Sequence, residues 1–202
     1  MAYPEELSDD FGALLRLLES DLRLPPGFLA KLYAEESDWA FVIKAHALVE
    51  AALTHLITAA LQDYRLADLV GRLETSGAYT GKLAFISKME LLSERYRRFI
   101  RRFSELRNDL VHDVSNSNFT FSAYLDGLNK DQKRNFKEAF SFRTRPRPDA
   151  PQDDWEEVVL HDPRLAIFMN TFKLLAEAYG KKQSYLVDEE DEDGTFLGDG
   201  EA

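Results

Sequence analysis

Apolar positions recur along most of the chain with the spacing of an α-helix. Between Ser93 and Asp113 they fall at steps of three and four residues, which is typical of a helix with one apolar face. Ile100 and Val111 widen this stripe, and at ~100° per residue Arg107 falls in the middle of it. The pattern predicts a long helix over residues 93–113, whose stripe consists of Tyr96, Phe99, Phe103, Leu106 and Leu110.

A second segment, residues 38–62, is apolar almost all round and predicts the central, most buried helix, following an Asp cap. We therefore expect an all-α protein, a helical bundle built on two long antiparallel helices, 39–62 and 93–113. Residues 119–124 alternate apolar and polar side chains and predict a short strand or extended segment. Shorter helices are expected at residues 8–20, 27–36, 65–76, 81–92, 131–142 and 163–187.

Three regions follow from these elements. Residues 1–37 form an N-terminal helical appendage, and residues 38–187 form the helical domain. Residues 188–202 carry eight acids and no base, a composition that predicts a disordered acidic tail. Within the domain, residues 143–151 are rich in proline and are expected to form an extended loop.

Polar residues inside the apolar segments are the candidates for function. His46, Glu50 and Thr54 are four residues apart and share one face of the predicted central helix. A charged group inside a core needs a partner, because an unpaired buried ion costs several kcal/mol or more. We expect Glu50 to pair with Arg107; otherwise Glu50 faces solvent and His46 is a hydrogen-bonded residue of the core. Without a carboxylate, Arg107 extends to the edge of the core or binds a phosphate.

Composition narrows the class of protein. The chain has 202 residues, no cysteine, and four histidines without metal-binding spacing, so we expect neither disulfides nor a metal or other cofactor. It has no uncharged apolar run of 18 residues and no signal-like N-terminus, so we expect a cytoplasmic protein with no membrane association.

The net charge of −11 is distributed unevenly. Residues 82–147 carry 15 bases and 8 acids, and a local positive field attracts a phosphate backbone whatever the net charge. This basic segment includes four arginines outside the apolar stripe, and the alternative is a solvated helix face balanced by acids elsewhere. The candidate RNA-binding residues are Arg97, Arg98, Arg101 and Arg102.

The end of the 93–113 helix carries a short motif. Asn108 directly follows Arg107, and His112 comes five residues after the arginine. This arrangement resembles the signature of the HEPN superfamily, which is an Arg, four to six residues, then a His, with a polar residue favoured after the Arg. The mannitol operon repressor family resembles the chain more closely over residues 39–121, through Leu106, Arg107, Leu110, His112 and Asp113.

The resemblance to HEPN ribonucleases implies a metal-independent endoribonuclease of the toxin–antitoxin or defence type. Arg107 and His112 would be its catalytic pair, with Asn108 beside them and Glu50 and His46 in support. Histidine can transfer protons near neutral pH, and arginine can bind phosphate oxygens. On an ideal helix five residues separate two side chains by ~140°. The resemblance also implies a homodimer in which two copies of the motif meet, with RNA as substrate and an antitoxin as partner.

The resemblance to mannitol operon repressors implies a different function. Such a protein would be a non-catalytic transcriptional regulator that acts through protein partners. Arg107, Glu50 and His112 would then form a structural network. Exposure of His112 in a basic cleft would favour the ribonuclease, whereas a packed and hydrogen-bonded His112 would favour the regulator.

Overall fold

The computed structural model describes residues 9–77, 79–112, 114–141 and 154–193. This part of the chain is all-α, without strands, as predicted. Two 3-10 helices, Tyr64–Leu66 and Val114–Asn118, accompany the α-helices. The α-helices are α1 Asp9–Asp21, α2 Phe28–Tyr33, α3 Asp38–Ala60, α4 Ala67–Gly71, α5 Lys82–Lys88, α6 Glu94–Val111, α7 Phe121–Gly127, α8 Lys130–Phe140, α9 Asp154–His161 and α10 Pro163–Asp193.

Helix α3 is the central element, as its apolar composition predicts. Twelve of its residues are buried, and it packs against α6 and, more extensively, against α10. Its N-cap is Ser37 and not Asp38, because the Ser37 side chain accepts a hydrogen bond from the Ala40 amide at 3.2 Å. The bundle therefore has α3 at its centre, with α6 and α10 both packed against it.

By length and composition α3 could also cross a membrane, since its mean hydropathy is 1.5 over an 18-residue window. Within the bundle, 56% of that window is buried. The central helix of a helical bundle can have the same length and composition. These two properties therefore do not distinguish a buried central helix from one that crosses a membrane.

Helix α6 follows the predicted stripe closely. It begins after Ser93, has Glu94 in its first turn, and buries Phe99, Ile100 and Phe103. The rings of Phe99 and Phe103 stack with centroids 5.4 Å apart, and Phe140 of α8 meets Phe99 edge-on at 5.7 Å. Such aromatic pairs add to the stability that burial provides.

Residues 9–37 pack against the bundle. Leu18 of α1 and Leu29 and Leu32 of α2 belong to the same hydrophobic core as α3, α6 and α10. Residue 37 therefore marks the start of α3 but not a boundary between two cores.

The prediction of an extended segment at 119–124 is wrong, because α7 begins at Phe121. Its first amides have acceptors: the Thr120 hydroxyl oxygen accepts from the Ala123 amide at 3.3 Å, and the Asp38 carboxylate accepts from the Phe121 amide at 2.8 Å. Capping of this kind stabilises a helix start that a six-residue alternation cannot reveal.

The prediction of a disordered tail is wrong for its first part, because α10 continues to Asp193. Residues 188–193 are all acidic, and none of them breaks a helix as glycine or proline would. The described residues exclude 194–202 and the proline-rich segment 143–151. Disorder at the end of the tail and an extended proline-rich loop therefore stay predictions.

Candidate functional site

A polar cavity lies between α3, α6 and the segment that joins α4 to α5. Its volume is about 170 Å³. It contains two of the polar residues predicted on α3 and two of those predicted on α6. Its lining is His46, Glu50, Arg72, Leu73, Glu74, Thr75, Ser76, Ser104, Arg107 and Asn108. We refer to it as the Arg107 cavity.

Among the described residues, the guanidinium of Arg107 forms a hydrogen bond with an amide and no ion pair with a carboxylate. Its Nη1 donates a hydrogen bond to Asn108 Oδ1 at 3.0 Å. Within the described part of the chain, Arg107 forms no ion pair with Glu50 or any other acid. A guanidinium has five N–H donors, so most of its donor capacity remains for a ligand or for water.

Glu50 instead pairs with Lys82, so the predicted Glu50–Arg107 pair is wrong. Lys82 Nζ donates to Glu50 Oε1 at 3.2 Å and to the carbonyl oxygens of Gly71 and Leu73 at 3.0 and 2.6 Å. The Lys82 side chain is fully buried, whereas Arg107 is only partly buried. The more deeply buried cation depends more on a carboxylate, because it has no access to water.

His46 lies in the wall of the cavity and is 3% exposed. A hydrogen bond of 3.0 Å joins its Nε2 to the hydroxyl of Ser104 on α6. Burial, followed by the positive charge of Arg107, lowers the pKa of His46 to about 4, although Glu50 acts in the opposite direction. The imidazole is therefore neutral near pH 7 and can serve as a hydrogen-bonding group of the cavity.

The loop that closes the cavity is held by backbone hydrogen bonds. The amides of Lys82 and Leu83 donate to the carbonyl oxygens of Glu74 and Thr75 at 2.7 and 3.0 Å. The chain approaches itself so closely here that a Cβ on Gly81 would lie 2.5 Å from the Glu74 carbonyl oxygen. Thr75 is thus fixed in position with 3% exposure, and its buried hydroxyl has no hydrogen-bond partner among the described residues.

His112 does not line this cavity. It is the C-cap residue of α6, its side chain is exposed, and its amide donates to the Asn108 carbonyl oxygen at 3.3 Å. The helix stays regular through Val111, so Arg107 and His112 keep the angular separation of ~140° that five residues impose. The structure therefore brings His46, Glu50, Arg107 and Asn108 together, and it places His112 apart from them.

The predicted RNA-binding arginines form a partly neutralised surface on α6. Arg97 pairs with Glu94 at 2.8 Å, and Arg102 pairs with Glu105 at 2.5 Å. Arg98 and Arg101 are exposed. Pairs three residues apart on a helix surface are weak and screened by salt, so they would not prevent this surface from meeting a phosphate backbone.

Several residues of the site were not predicted from the sequence, among them Thr75, Lys82 and Ser104. Ser104 had a detectable signal, because it lies three residues before Arg107 and therefore on the same helix face. Lys82 and Thr75 had none of comparable strength, since their positions depend on how the loop folds back onto α3. Among the described residues, no three His, Asp or Glu side chains are grouped closely enough to hold a metal ion.

In comparisons with known proteins, no protein-family model, no curated protein and no solved structure matches the chain.

Proposed function

We propose that this protein is a homodimeric endoribonuclease of the HEPN type, acting in a toxin–antitoxin or defence system. The HEPN assignment rests on the motif formed by Arg107, Asn108 and His112 near the end of α6. The observation that best supports the function is that Arg107 pairs with no carboxylate of the described residues and lines an open polar cavity. A structural ion pair would have occupied the same guanidinium.

The proposed reaction is the attack of a ribose 2′-oxygen on the adjacent phosphorus. The new bond joins the 2′-oxygen to phosphorus, and the bond from phosphorus to the 5′-oxygen of the next nucleotide breaks. His112 would transfer the proton that leaves the 2′-hydroxyl or the one that the 5′-oxygen gains. Arg107 would bind the phosphate oxygens, on which negative charge builds up in the transition state.

The proposed reaction needs a second copy of the chain, because Arg107 and His112 do not share a cavity within one protomer. His112 is exposed at the end of α6, and its neighbour Val111 is 39% exposed although it is apolar. An exposed apolar residue beside an exposed histidine suits a contact between copies. In the proposed dimer, His112 of one protomer would complete the site of Arg107 in the other.

A second function is favoured by a specific observation, namely that Arg107 and His112 do not share a cavity within one chain. If no dimer brings them together, the protein would be a regulator that resembles the mannitol operon repressors and acts through protein partners. The exposure of His112 counts against its role in a structural network, so we prefer the ribonuclease.

The test is cleavage of RNA by the purified protein in the presence of EDTA, with wild type, His112→Ala and His161→Ala in parallel. His161 is the matched control, because it is also an exposed histidine near a helix end and lies outside the Arg107 cavity. We expect His112→Ala to lose ~10²–10⁴-fold in rate and His161→Ala to keep full activity. Wild-type cleavage by His112→Ala would leave the regulator as the better explanation.

The dimer is tested by mixing two inactive variants. Arg107→Ala and His112→Ala protomers should together form one intact composite site per mixed dimer, so part of the cleavage should return. No recovery, despite exchange of subunits shown by mass spectrometry, would mean that Arg107 and His112 do not act across an interface.

A further inference from the structure

A second cavity, of about 340 Å³, lies between the end of α1, α3, the segment that leads into α4, and α10. Its lining is Asp21, Leu22, Arg23, Thr54, His55, Thr58, Tyr64, Ala67 and Lys182. We refer to it as the His55 cavity, and we propose that it binds a mononucleotide, either free or as one unpaired nucleotide of an RNA strand. It shares no lining residue with the Arg107 cavity, so the inference goes beyond the proposed function and does not rest on it.

Two aromatic rings of the His55 cavity are open to a flat ligand. Tyr64 is 55% exposed, and the side chain of His55 is 40% exposed. His55 Nδ1 is buried and lies 3.9 Å from Asp21 Oδ2, so the exposed part of the imidazole is the part that points away from Asp21. Exposed tyrosine and histidine rings are surfaces on which nucleobases stack.

The charges of the cavity favour an anionic group on the same ligand. Lys182 Nζ donates a hydrogen bond to Asp21 Oδ1. Burial raises the pKa of Asp21, whereas its interactions with His55 and Lys182 lower it and prevail, so the carboxylate is ionised near pH 7. Asp21 therefore neutralises Lys182, and Arg23 forms no ion pair within the described part of the chain. Apart from His55, the lining thus has two cations and one anion, an excess of one positive charge.

A phosphate uses these cations more fully than a carboxylate does. The planar guanidinium of Arg23 can donate to two phosphate oxygens at once. Lys182 has three N–H donors and gives one of them to Asp21, so donors remain for a third oxygen. A carboxylate has only two oxygens to share between both cations. A ring for stacking and a phosphate for Arg23 are the two parts of a nucleotide.

The size of the cavity suits one nucleotide. About 340 Å³ is at the lower end of the range of roughly 300–1,000 Å³ that small-molecule sites occupy. Leu22 and Ala67 add apolar surface to the two rings. A longer RNA strand would therefore place a single unpaired nucleotide in the cavity.

The backbone of Arg23 provides a variant that removes its charge without harming the fold. Arg23 follows the end of α1 with a φ of 55°, in the left-handed region that favours glycine. Gln62 follows α3 with a φ of 51° and does not line the cavity. Glycine relieves the same backbone conformation at both positions, so Arg23→Gly and Gln62→Gly form a matched pair that differs in the loss of a cavity cation.

The experiment is isothermal titration calorimetry of the full chain with adenosine 5′-monophosphate (AMP), adenosine and ribose 5-phosphate. We expect AMP to bind with a dissociation constant of about 1 mM or tighter, and the other two to bind at least about tenfold more weakly, because each lacks the phosphate or the base. Absence of AMP binding overturns the proposal. Binding of adenosine or ribose 5-phosphate as tightly as AMP also overturns it.

The variants locate the binding. Arg23→Gly should weaken AMP binding by about tenfold or more, and Tyr64→Leu should weaken it at least about threefold, while Gln62→Gly should bind like wild type. Thermal unfolding shows that each variant is folded. Unchanged affinity in a folded Arg23→Gly or Tyr64→Leu overturns the proposal, and so does an equal loss in Gln62→Gly.

Two further measurements separate the His55 cavity from the Arg107 cavity and one source of nucleotide from the other. Arg107→Gln should bind AMP like wild type, and loss of binding in that variant would overturn the proposal. An RNA hexamer of adenine nucleotides distinguishes the sources. If it binds at least as tightly as AMP and Arg23→Gly weakens its binding too, the ligand is a nucleotide of an RNA strand; otherwise it is the free nucleotide.

Discussion

Arg107 and Arg164 are both partly buried, yet the protein surrounds them differently. Arg164 Nε donates to the Asp38 carboxylate at 3.0 Å, another of its N–H groups donates to the Glu35 carbonyl oxygen, and its guanidinium lies 5.2 Å from the centre of the Phe41 ring. Arg107 donates to the amide oxygen of Asn108 and lines an open cavity.

The difference separates an arginine that stabilises the fold from one that is available to a ligand. Asp38 is also the acceptor of the Phe121 amide, so the Arg164–Asp38 pair joins α10 to α3 and to the start of α7. Arg107 joins no two helices through an ion pair within the described residues. A charged group that the fold leaves unpaired is a candidate binding group, because its desolvation is compensated only when a counter-charge arrives.

We expect the largest effect on stability from removing Lys82, the buried cation that pairs with Glu50 in place of Arg107. In Lys82→Met the Glu50 carboxylate loses its partner, and two carbonyl oxygens lose a donor. We expect the free energy of unfolding to fall by about 3–5 kcal/mol, measured by urea denaturation. The double variant Lys82→Met with Glu50→Gln should recover part of that loss. A loss below about 1 kcal/mol in the single variant would show that water replaces Lys82 without difficulty.

Truncating the two arginines tests the comparison directly. Arg164→Ala leaves Asp38 partly buried and without its cation, so unfolding should become easier by about 3 kcal/mol. Arg107→Ala strands no carboxylate and should change stability by less than about 1 kcal/mol. Thermal and urea unfolding of both variants provide the measurement. Equal losses would contradict the distinction between a structural and a ligand-binding arginine.

The pH dependence of stability tests the burial of His46, which lines the same cavity as Arg107. The pKa of His46 is about 4 in the folded protein against an ordinary value of 6.5, so between these values the unfolded state binds more protons. Stability should therefore decrease as the pH falls from 6.5 to 4, by roughly 3 kcal/mol in total. Urea titrations at several pH values should show a shallower decrease in His46→Gln than in wild type. His161→Gln, which alters an exposed histidine, should behave like wild type.

The smallest expected effect concerns the buried hydroxyl of the cavity. Thr75→Val keeps the shape and removes a buried group without a partner, so the free energy of unfolding should rise by about 1 kcal/mol. Thr58→Val is the matched control, because Thr58 is also 3% exposed with an unpartnered hydroxyl but lies outside the Arg107 cavity. Both variants should be stabilised by a similar amount. A destabilised Thr75→Val would mean that an ordered water satisfies its hydroxyl.

The helical elements around the site could be predicted because their signals are local. The three- and four-residue spacing of Phe99, Phe103, Leu106 and Leu110 defines the buried face of α6, and all four are buried. The same spacing placed Arg107 on that face, where an unpaired charge is costly. Local patterns failed where several structures fit the same few residues, as at 119–124, which Thr120 and Asp38 direct into a helix.

The sequence by itself therefore determined that the chain is helical, that α3 and α6 are its apolar-striped helices, and that Arg107, His46 and Glu50 need an explanation beyond packing. Only the tertiary structure decided which charges meet. Glu50 and Lys82 are 32 residues apart in sequence, and Arg164 and Asp38 are 126 apart, so no periodic pattern connects them. Pairing depends on which cation is more completely removed from water, and that is a property of the assembled core. Lys82 is fully buried and pairs with Glu50, while Arg107 lines the cavity and pairs with no acid of the described residues.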